Sequence, residues 1–237
     1  MRDDSRNGSY DLPPASRRVL TDDVVDAIRG AILAGRIKPG ARLIEEDLAA
    51  SLKVSRGPVR QAIFRLQQEG LVVHEPHRGA TVRAISEGDV VDIYSLRLAL
   101  ERLAIEQAIR KAGPAELAEI EAVLDRFAGM RRAAVTRRVV AELDVEFHDA
   151  IFRAAGSWRL YRAWEMLRSQ LMMFLMLREG LPADYLDSWH RDHRLLVEVI
   201  RACDQAVAAA AIAEHISRAR ERLLATLRGA PSGTSPS

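Results

Sequence analysis

Four side chains in the C-terminal part of the sequence have the types and spacing of a metal-binding set. Asp144 and His148 are four residues apart in LDVEFHDAI, so a helix would present their oxygen and nitrogen from adjacent turns. His193 lies in WHRDHRLLVEVI and His215 in AAIAEHISRA, each in an apolar helical series where leucine would be ordinary. One carboxylate and three imidazoles suit zinc, with nickel or manganese as alternatives.

These histidines also have a simpler interpretation, in which each is a hydrogen-bonded residue of a helical core. Burying an unpaired imidazole is unfavourable, and either hydrogen bonding or metal coordination removes the penalty. Spacing over long stretches of sequence does not decide between the two. His190 lies one turn before His193 and is interpreted as a surface residue or a support for a ligand.

Composition sets outer limits on the kind of protein. A chain of 237 residues suits two domains of ordinary size, and its net charge of +2 does not by itself indicate a nucleic-acid partner. The longest apolar run, Leu171 to Leu177, is far shorter than the ~20 residues that cross a bilayer, so no membrane association is expected. The single cysteine, Cys203, fits a reducing cytoplasm, and the helical pattern around it predicts a buried thiol.

The first third of the chain has the order of elements of a winged helix-turn-helix. Apolar residues recur at helical spacing from Val19 to Leu33, where Thr21 is a candidate cap, and again from Glu45 to Leu52 and from Val59 to Gln68. LVVHEP and ATVRAI then alternate as two strands around HRG. We therefore predict a disordered arm over 1–16 and a winged helix-turn-helix domain over 17–85.

Beyond Ser86 helical periodicity alone remains, with Gly- or Pro-containing breaks near 113, 129, 156 and 180. This pattern predicts an antiparallel bundle of six or seven helices over 86–228, whose core is a natural ligand site, and a disordered tail over 229–237. The fold class is therefore mainly α. Arg97 and Glu101, one turn apart, form either a plain intrahelical pair or a pair whose arginine projects into the bundle.

The third helix has the properties of a DNA-reading helix. Arg56 and Arg60 share one side, Gly57 between them allows close backbone approach, and the apolar residues face the other way. Arginine in the first turn can bond guanine bidentately in the major groove. Arg78 and Gly79 at the hairpin tip could reach the minor groove or phosphates, and the candidate phosphate contacts are Arg36, Lys38, Arg42, Lys53 and Ser55. For any one arginine, an ordinary solvated surface is the simpler interpretation.

The whole ordered set resembles the DNA-binding domain of the GntR family of bacterial transcription regulators. The resemblance covers GRIKPGARLIEEDLAASLKVSRGPVRQAIFRLQQEGLVVHEPHRGATV, with its VSR, PVR, RL, EG and RGA elements. It implies that Arg56, Gly57 and Arg60 read bases and that His77, Arg78 and Gly79 form the wing tip. Glu46 stands where many relatives carry a DNA-contacting arginine, which affects the operator sequence and not the act of binding.

The remainder resembles the helical FCD effector domain of FadR-like members of that family. IYSLRLALERLAIEQA, LDVEFHDAIFRAAGS, HRDHRLLVEVIRACD and AEHISRA carry the resemblance. It implies that Asp144, His148, His193 and His215 bind a divalent metal, zinc first among the candidates, and that Arg97 meets an effector carboxylate.

The two resemblances together imply a cytoplasmic transcription regulator, a repressor rather than an enzyme, controlled by a small carboxylate effector. We expect a homodimer on a palindromic double-stranded operator, because one recognition helix reads too few base pairs. Two alternatives stay open: a metal-dependent enzyme fused to a DNA-binding head, and a regulator whose metal is structural or is itself the signal. An enzyme would need a general base, and the candidates Glu146 and Asp149 neighbour the four ligands in sequence alone.

Overall fold

A computed structural model describes residues 17–130, 135–176 and 185–229. The N-terminal part holds three helices and one antiparallel hairpin. The elements are α1 (Arg17–Leu33), α2 (Glu45–Leu52), α3 (Arg56–Gln68), β1 (Val72–Glu75) and β2 (Gly79–Val82). The strands pair from Val72 opposite Val82 to Glu75 opposite Gly79. This is the winged helix-turn-helix arrangement that the sequence predicts.

The rest of the described chain forms a bundle of six helices. They are α4 (Glu87–Lys111), α5 (Pro114–Ala128), α6 (Arg137–Ala154), α7 (Trp158–Met176), α8 (Tyr185–Arg201) and α9 (Gln205–Gly229). Helix α4 packs against α6, α7 and α9, while α8 packs against α5 and α9. The prediction of a mainly α fold with six or seven helices in this part is confirmed.

Local chemistry explains how the helix-turn-helix turn and the junction to the bundle form. Helix α2 ends at Lys53, whose φ of 56° lies in the left-handed region and turns the chain toward α3. Helix α4 starts with a capping box, in which the Ser86 side chain accepts from the Asp89 amide and the Asp89 side chain accepts from the Ser86 amide. Arg83 ties the junction together by donating to the Gly70 carbonyl at 2.9 Å and to Asp89 at 3.1 Å.

Helix α6 lies at the centre of the bundle. Most of its residues after Val139 are buried, because α4, α5 and α7 all pack against it. Helix α6 contributes the large buried ring of Phe147, and α7 contributes those of Trp164 and Phe174. A central helix of this kind is where polar side chains are costly unless they are paired, which draws attention to Asp144, His148 and Asp149 on its buried surface.

Two local predictions from the sequence are wrong. Thr21 does not cap α1, since the helix begins at Arg17 and the Thr21 hydroxyl donates to the Gln61 side chain at 3.1 Å. Cys203 is exposed and adopts a φ of 55° in the turn between α8 and α9, so its thiol is not a core group. The proposed arm, 1–16, and residues 230–237 of the proposed tail lie outside the described residues.

The apolar run on α7 belongs to the bundle core over the residues that are described, with Leu171, Phe174 and Leu175 buried. Within the described residues, no helix combines the length and apolar character that crossing a membrane requires.

Candidate metal centre and nucleic-acid interface

Three separate helices bring the predicted histidines to one place. His148 comes from α6, His193 from α8 and His215 from α9, and one ring nitrogen of each lies within 4.8 Å of the others. The ring centroids are 5.7 Å apart for His148 and His193, 5.3 Å for His148 and His215, and 4.7 Å for His193 and His215. All three are buried. The residues therefore converge as a cluster and do not scatter through the bundle.

Asp144 joins this cluster through His193. Its Oδ1 lies 3.2 Å from His193 Nε2 and accepts from the Trp189 indole N–H at 2.9 Å. Burial alone would raise the pKa of Asp144, but the contact with His193 and the positive charge of Arg97 hold that pKa well below its usual value. Asp144 is therefore a buried carboxylate, one turn along α6 from His148.

The position of the proton on the His193 ring gives the clearest indication of which ligand the cluster can bind. His193 Nδ1 donates to the Trp189 carbonyl at 2.7 Å, so the lone pair of the neutral ring lies on Nε2. Burial lowers the pKa of His193 despite the opposing effect of Asp144, which favours this neutral form. That lone pair points to a region already occupied by an acceptor, Asp144 Oδ1, and His193 Nε2 has no hydrogen-bond partner. Two facing acceptors in a buried site are stabilised by a cation between them.

Other ring nitrogens of the cluster are also unsatisfied. His215 Nδ1 is buried without a hydrogen-bond partner, and burial, followed by the nearby His193 and His148, lowers the pKa of His215 well below its usual value. A neutral imidazole is the form that binds a metal ion. The donor set of three imidazole nitrogens and one carboxylate oxygen thus fits a divalent transition metal such as zinc.

Arg97 and Glu101 of α4 both contact the His148 ring of the cluster. Arg97 Nε is hydrogen-bonded to Glu101 Oε1, and Arg97 Nη2 lies 2.8 Å from His148 Nε2. Glu101 Oε2 lies 2.6 Å from His148 Nδ1, although the two atoms lack the alignment of a full hydrogen bond. Burial would lower the pKa of Arg97, but Glu101 raises it above its usual value, so the guanidinium stays charged. Arg97 thus pairs with Glu101 within α4 and also lines a small cavity beside the cluster, and its contact with an effector stays a prediction.

A small cavity of about 20 Å³ adjoins the cluster, with space for about one water molecule. It lies between α4, α7, α8 and α9. Its polar lining comes from Tyr94, Arg97, Asp144, Ser188, Asp192, His193, His215 and Arg222. The cavity therefore combines two arginines with groups that can accept or donate hydrogen bonds.

Sequence reasoning missed several of these lining residues. Ser188 and Asp192 are one turn apart on α8, and Arg222 lies two turns after His215 on α9. Helical spacing places Arg222 on the same face of α9 as His215, but only the packing of the helices shows that these residues line one cavity. By contrast, neither candidate general base lines the cavity: Asp149 faces Trp164 and Arg168 of α7, and Glu146 pairs with Arg126.

The residues predicted to read DNA lie together at the exposed start of α3. Arg56 is the first residue of the helix, and the side chains of Arg56 and Arg60 are 54% and 67% exposed. A Cβ placed on Gly57 would meet no atom within 4 Å, so its backbone is open to a partner. The opposite side of the helix anchors the head through Val59, Ala62, Ile63 and Leu66, all buried.

Two glutamates of α2 hold these arginines. Glu45 accepts hydrogen bonds from Arg60 Nε at 3.0 Å and from Arg60 Nη2 at 2.9 Å. Glu46 lies 2.7 Å from Arg56. Glu46, where many relatives are expected to carry an arginine, therefore pairs with an arginine that is predicted to read bases. The arrangement fixes where both guanidinium groups lie before DNA is bound.

The wing and the candidate phosphate contacts are exposed as well. His77 and Gly79 have φ values of 64° and 76°, which form the tight turn, and Arg78 donates to Glu75 at 3.0 Å. Arg42 pairs as an isolated bridge with Thr81 of β2, so it lies beside the wing. The remaining phosphate candidates are exposed side chains at Arg36, Lys38, Lys53 and Ser55, and Ser55 is the N-cap residue of α3 without a side-chain cap bond.

Comparison with known proteins decides the family. Residues 20–82 match the model for bacterial regulatory proteins of the gntR family, and residues 92–218 match the FCD domain. The chain belongs to the GntR family. It is similar to the "Probable D-xylose utilization operon transcriptional repressor" of Paenarthrobacter nicotinovorans, at 33% identity over 85% of this chain and 88% of that one.

Other relatives agree with this assignment. The gluconate operon transcriptional repressor of Bacillus licheniformis is 29% identical over 85% of this chain and 84% of its own. The solved structure of E. coli McbR/YncC superposes with a TM-score of 0.70 at 25% identity, covering 88% of this chain and 98% of that one. This GntR protein is therefore a DNA-binding transcription regulator and not an enzyme, which removes the metal-dependent enzyme from the alternatives.

Proposed function

We propose that this GntR protein is a repressor that binds a palindromic operator as a homodimer and responds to a small carboxylate effector at a metal site. The observation that carries the proposal is the convergence of His148, His193 and His215 from three helices onto one buried point. Operator affinity would then depend on a ligand bound far from the DNA. Such a dependence is an allosteric coupling between two sites of one protein.

Asp144, His148, His193 and His215 would hold the metal, because they supply one carboxylate oxygen and three imidazole nitrogens. His193 Nε2 and His215 Nδ1 have no hydrogen-bond partner, whereas His148 Nε2 is engaged by Arg97. A divalent ion there supplies a cationic centre that favours carboxylate oxygens of a ligand. The Trp189 carbonyl fixes the His193 ring through Nδ1, and the Trp189 indole fixes Asp144. These contacts orient two of the four donors before any ion binds.

The cavity lining favours an organic acid that carries hydroxyl groups. Arg97 and Arg222 provide positive charge for a carboxylate, while Asp192 offers an acceptor for hydroxyl groups. Two relatives are named as repressors of gluconate and D-xylose operons, which supports a sugar acid or a related hydroxy acid. A sugar acid would combine one carboxylate with several hydroxyls, matching both halves of this lining.

The size of the cavity links effector binding to movement. A space of about 20 Å³ does not admit an organic acid, so side chains of α4, α7, α8 and α9 must shift to accommodate one. Close-packed interiors transmit such shifts to neighbouring elements. Helix α7 is well placed to receive them, because Phe174 and Leu175 line the cavity.

A continuous set of contacts leads from the metal cluster to the recognition helix. Asp149, next to His148, accepts from the Trp164 indole at 2.5 Å and pairs with Arg168 at 2.7 Å. The next residue of α7, Ser169, donates to Glu69 at 2.8 Å, and Glu69 is the C-cap of α3. We infer that a shift of α6 or α7 reaches the DNA head through this contact.

The head and the bundle otherwise leave room for relative movement. A cleft of about 1100 Å³ lies between α1 and α3 on one side and α6 and α7 on the other. For the homodimer, Leu96 and Leu103 offer support, since they lie two turns apart on α4 and are 47% and 41% exposed. An apolar stripe of this kind suits contact with a second copy.

The proposal predicts that sugar acids act only on metal-loaded protein. An operator would be selected from random duplexes with the full chain, and its affinity measured with zinc-loaded and chelated protein. Gluconate, xylonate and lactate form the test series, with glucose as the uncharged control. We expect at least one acid to weaken operator binding by about tenfold, within the usual range of allosteric coupling. Switching by zinc alone would identify the metal as the signal, and no response to any acid would contradict the effector class.

If the contact between Ser169 and Glu69 transmits the effector signal, Ser169→Ala should weaken the effect of an acid on operator affinity and leave zinc binding unchanged. Loss of one hydrogen bond to Glu69 removes about 1 kcal/mol from the coupling, so the effect of an active acid on operator affinity should fall roughly fivefold. Zinc affinity and operator affinity without the acid should stay near those of the wild type. Ser95→Ala is the matched control, because the Ser95 hydroxyl donates to Val91 in its own helix. An unchanged acid response in Ser169→Ala would remove this contact from the route.

A further inference from the structure

Arg97 occupies the position between His148 and the cavity. The guanidinium lines the cavity, whereas His148 is completely buried and is absent from the lining. Arg97 Nη2 is 2.8 Å from His148 Nε2, and its Nε is hydrogen-bonded to Glu101. Approach to this ring nitrogen from the cavity is therefore blocked by a charged group of the protein.

The partners of His148 fix which nitrogen carries the proton. A guanidinium has N–H donors and no acceptor, so Arg97 requires a lone pair on His148 Nε2. Glu101 Oε2, at 2.6 Å from Nδ1, requires the proton on Nδ1, because two lone pairs at that distance would repel each other. His148 is thus presented with the Nε2 lone pair toward Arg97 and the Nδ1 proton toward Glu101.

A metal ligand must offer that same lone pair. We infer that Arg97 and the metal compete for Nε2 of His148, so that metal entry moves the Arg97 guanidinium away from His148 and toward the cavity. The inference rests on the proposed metal site. Arg97 then acts as a gate: its Nη2 is engaged by His148 before loading and becomes a donor for an effector carboxylate afterwards.

Glu101 has the complementary role of a positioning residue. It lies behind the ring, at Nδ1, where a carboxylate orients a ligating histidine and increases its basicity. Glu101 also accepts a hydrogen bond from Arg97 Nε, so the arginine remains at the site after it has moved away from His148. The pair explains why two fully buried charges are retained beside a cluster of neutral rings. Because Arg97 Nη2 becomes available to an effector carboxylate only after metal loading, the acid binds after the metal.

The test is the zinc affinity of the full chain, measured by competition with a chromophoric chelator and with zinc as the sole ligand. Arg97→Met should bind zinc roughly 10- to 100-fold more tightly than the wild type, because a charge-assisted hydrogen bond no longer competes. Arg97→Lys keeps a charge for Glu101 but replaces the fork, whose Nε and Nη2 meet Glu101 and His148 at separate positions, by one compact ammonium. Its contact with His148 should therefore weaken, and zinc affinity should change in the same direction. If Arg97→Met fails to fold, Arg97→Lys decides the question.

Arg218→Met controls for the simple loss of a positive charge. Arg218 lies one turn after His215 and 3.5 Å from Asp192, and it does not line the cavity. Its zinc affinity should rise by no more than about threefold, since its charge is partly exposed and screened. Equal or weaker zinc binding by both Arg97 variants would overturn the gate while leaving the metal site intact. A wild type that binds no zinc would instead remove the proposed site itself.

Discussion

Arg60→Ala is expected to abolish specific operator binding while the protein stays folded. Arg60 lies on the exposed side of α3, 67% exposed, where its fork can bond a guanine through two N–H groups. Each such pair contributes about 1–3 kcal/mol of base discrimination, so the two heads of a dimer would lose about 2–6 kcal/mol, or at least roughly 30-fold in affinity. Binding to unrelated DNA should weaken far less, because it depends on phosphate contacts.

Arg65→Ala is the matched control for this substitution. It removes the same charge from the same helix and, like Arg60→Ala, breaks an ion pair, here with Asp22 of α1; but Arg65 lies in the last turn of α3, away from its exposed start. Specific affinity should stay within a few-fold of the wild type. Both variants should unfold near the wild-type temperature, since surface substitutions of this kind change stability by roughly 0.5 kcal/mol or less. A proportional loss on specific and unrelated DNA in Arg60→Ala would assign Arg60 to phosphate contact.

Local sequence signals predict the winged helix-turn-helix domain well, because its helices and strands are short and are separated by residues typical of turns. Helix α2 has the predicted bounds, Glu45 to Leu52, since acidic residues open it and Lys53 turns the chain. Helix α3 begins at Arg56, earlier than the apolar periodicity indicates, because Pro58 is accommodated in its first turn. Thr21 shows the limit: a threonine inside a helix and a capping threonine look alike until the partner, here Gln61, is known.

For the candidate site, periodicity predicts which residues face inward and cannot predict which ones meet. His148, His193 and His215 each occupy a core position, but their convergence depends on the packing of α6, α8 and α9. The same limit hid Asp192 and Arg222, which share helix faces with the histidines and reach the cavity only through that packing. Cys203 was misjudged because the helical pattern appeared to continue past Arg201, where α8 ends.

His148→Ala is expected to remove stoichiometric metal and the response to acids while leaving operator binding intact. The residue is fully buried at the meeting point of α4, α6, α8 and α9, and it contributes one of three imidazoles. Losing a ligand should weaken zinc binding by more than the roughly 10- to 100-fold that follows from changing an outer partner. Metal content after dialysis, measured by elemental analysis, and operator affinity with and without an active acid are the two measurements.

The control for this change is His190→Ala on α8. His190 is half-buried, lies one turn before His193 and accepts from Arg194 at 3.3 Å, so the substitution also removes an imidazole close to the cluster. Its zinc content and acid response should match the wild type. If His148→Ala kept one zinc per chain, Asp144, His193 and His215 would suffice as protein ligands, and Arg97 would have no shared nitrogen to guard. If it lost zinc and operator binding together, the metal would hold the two heads in place rather than report on an acid.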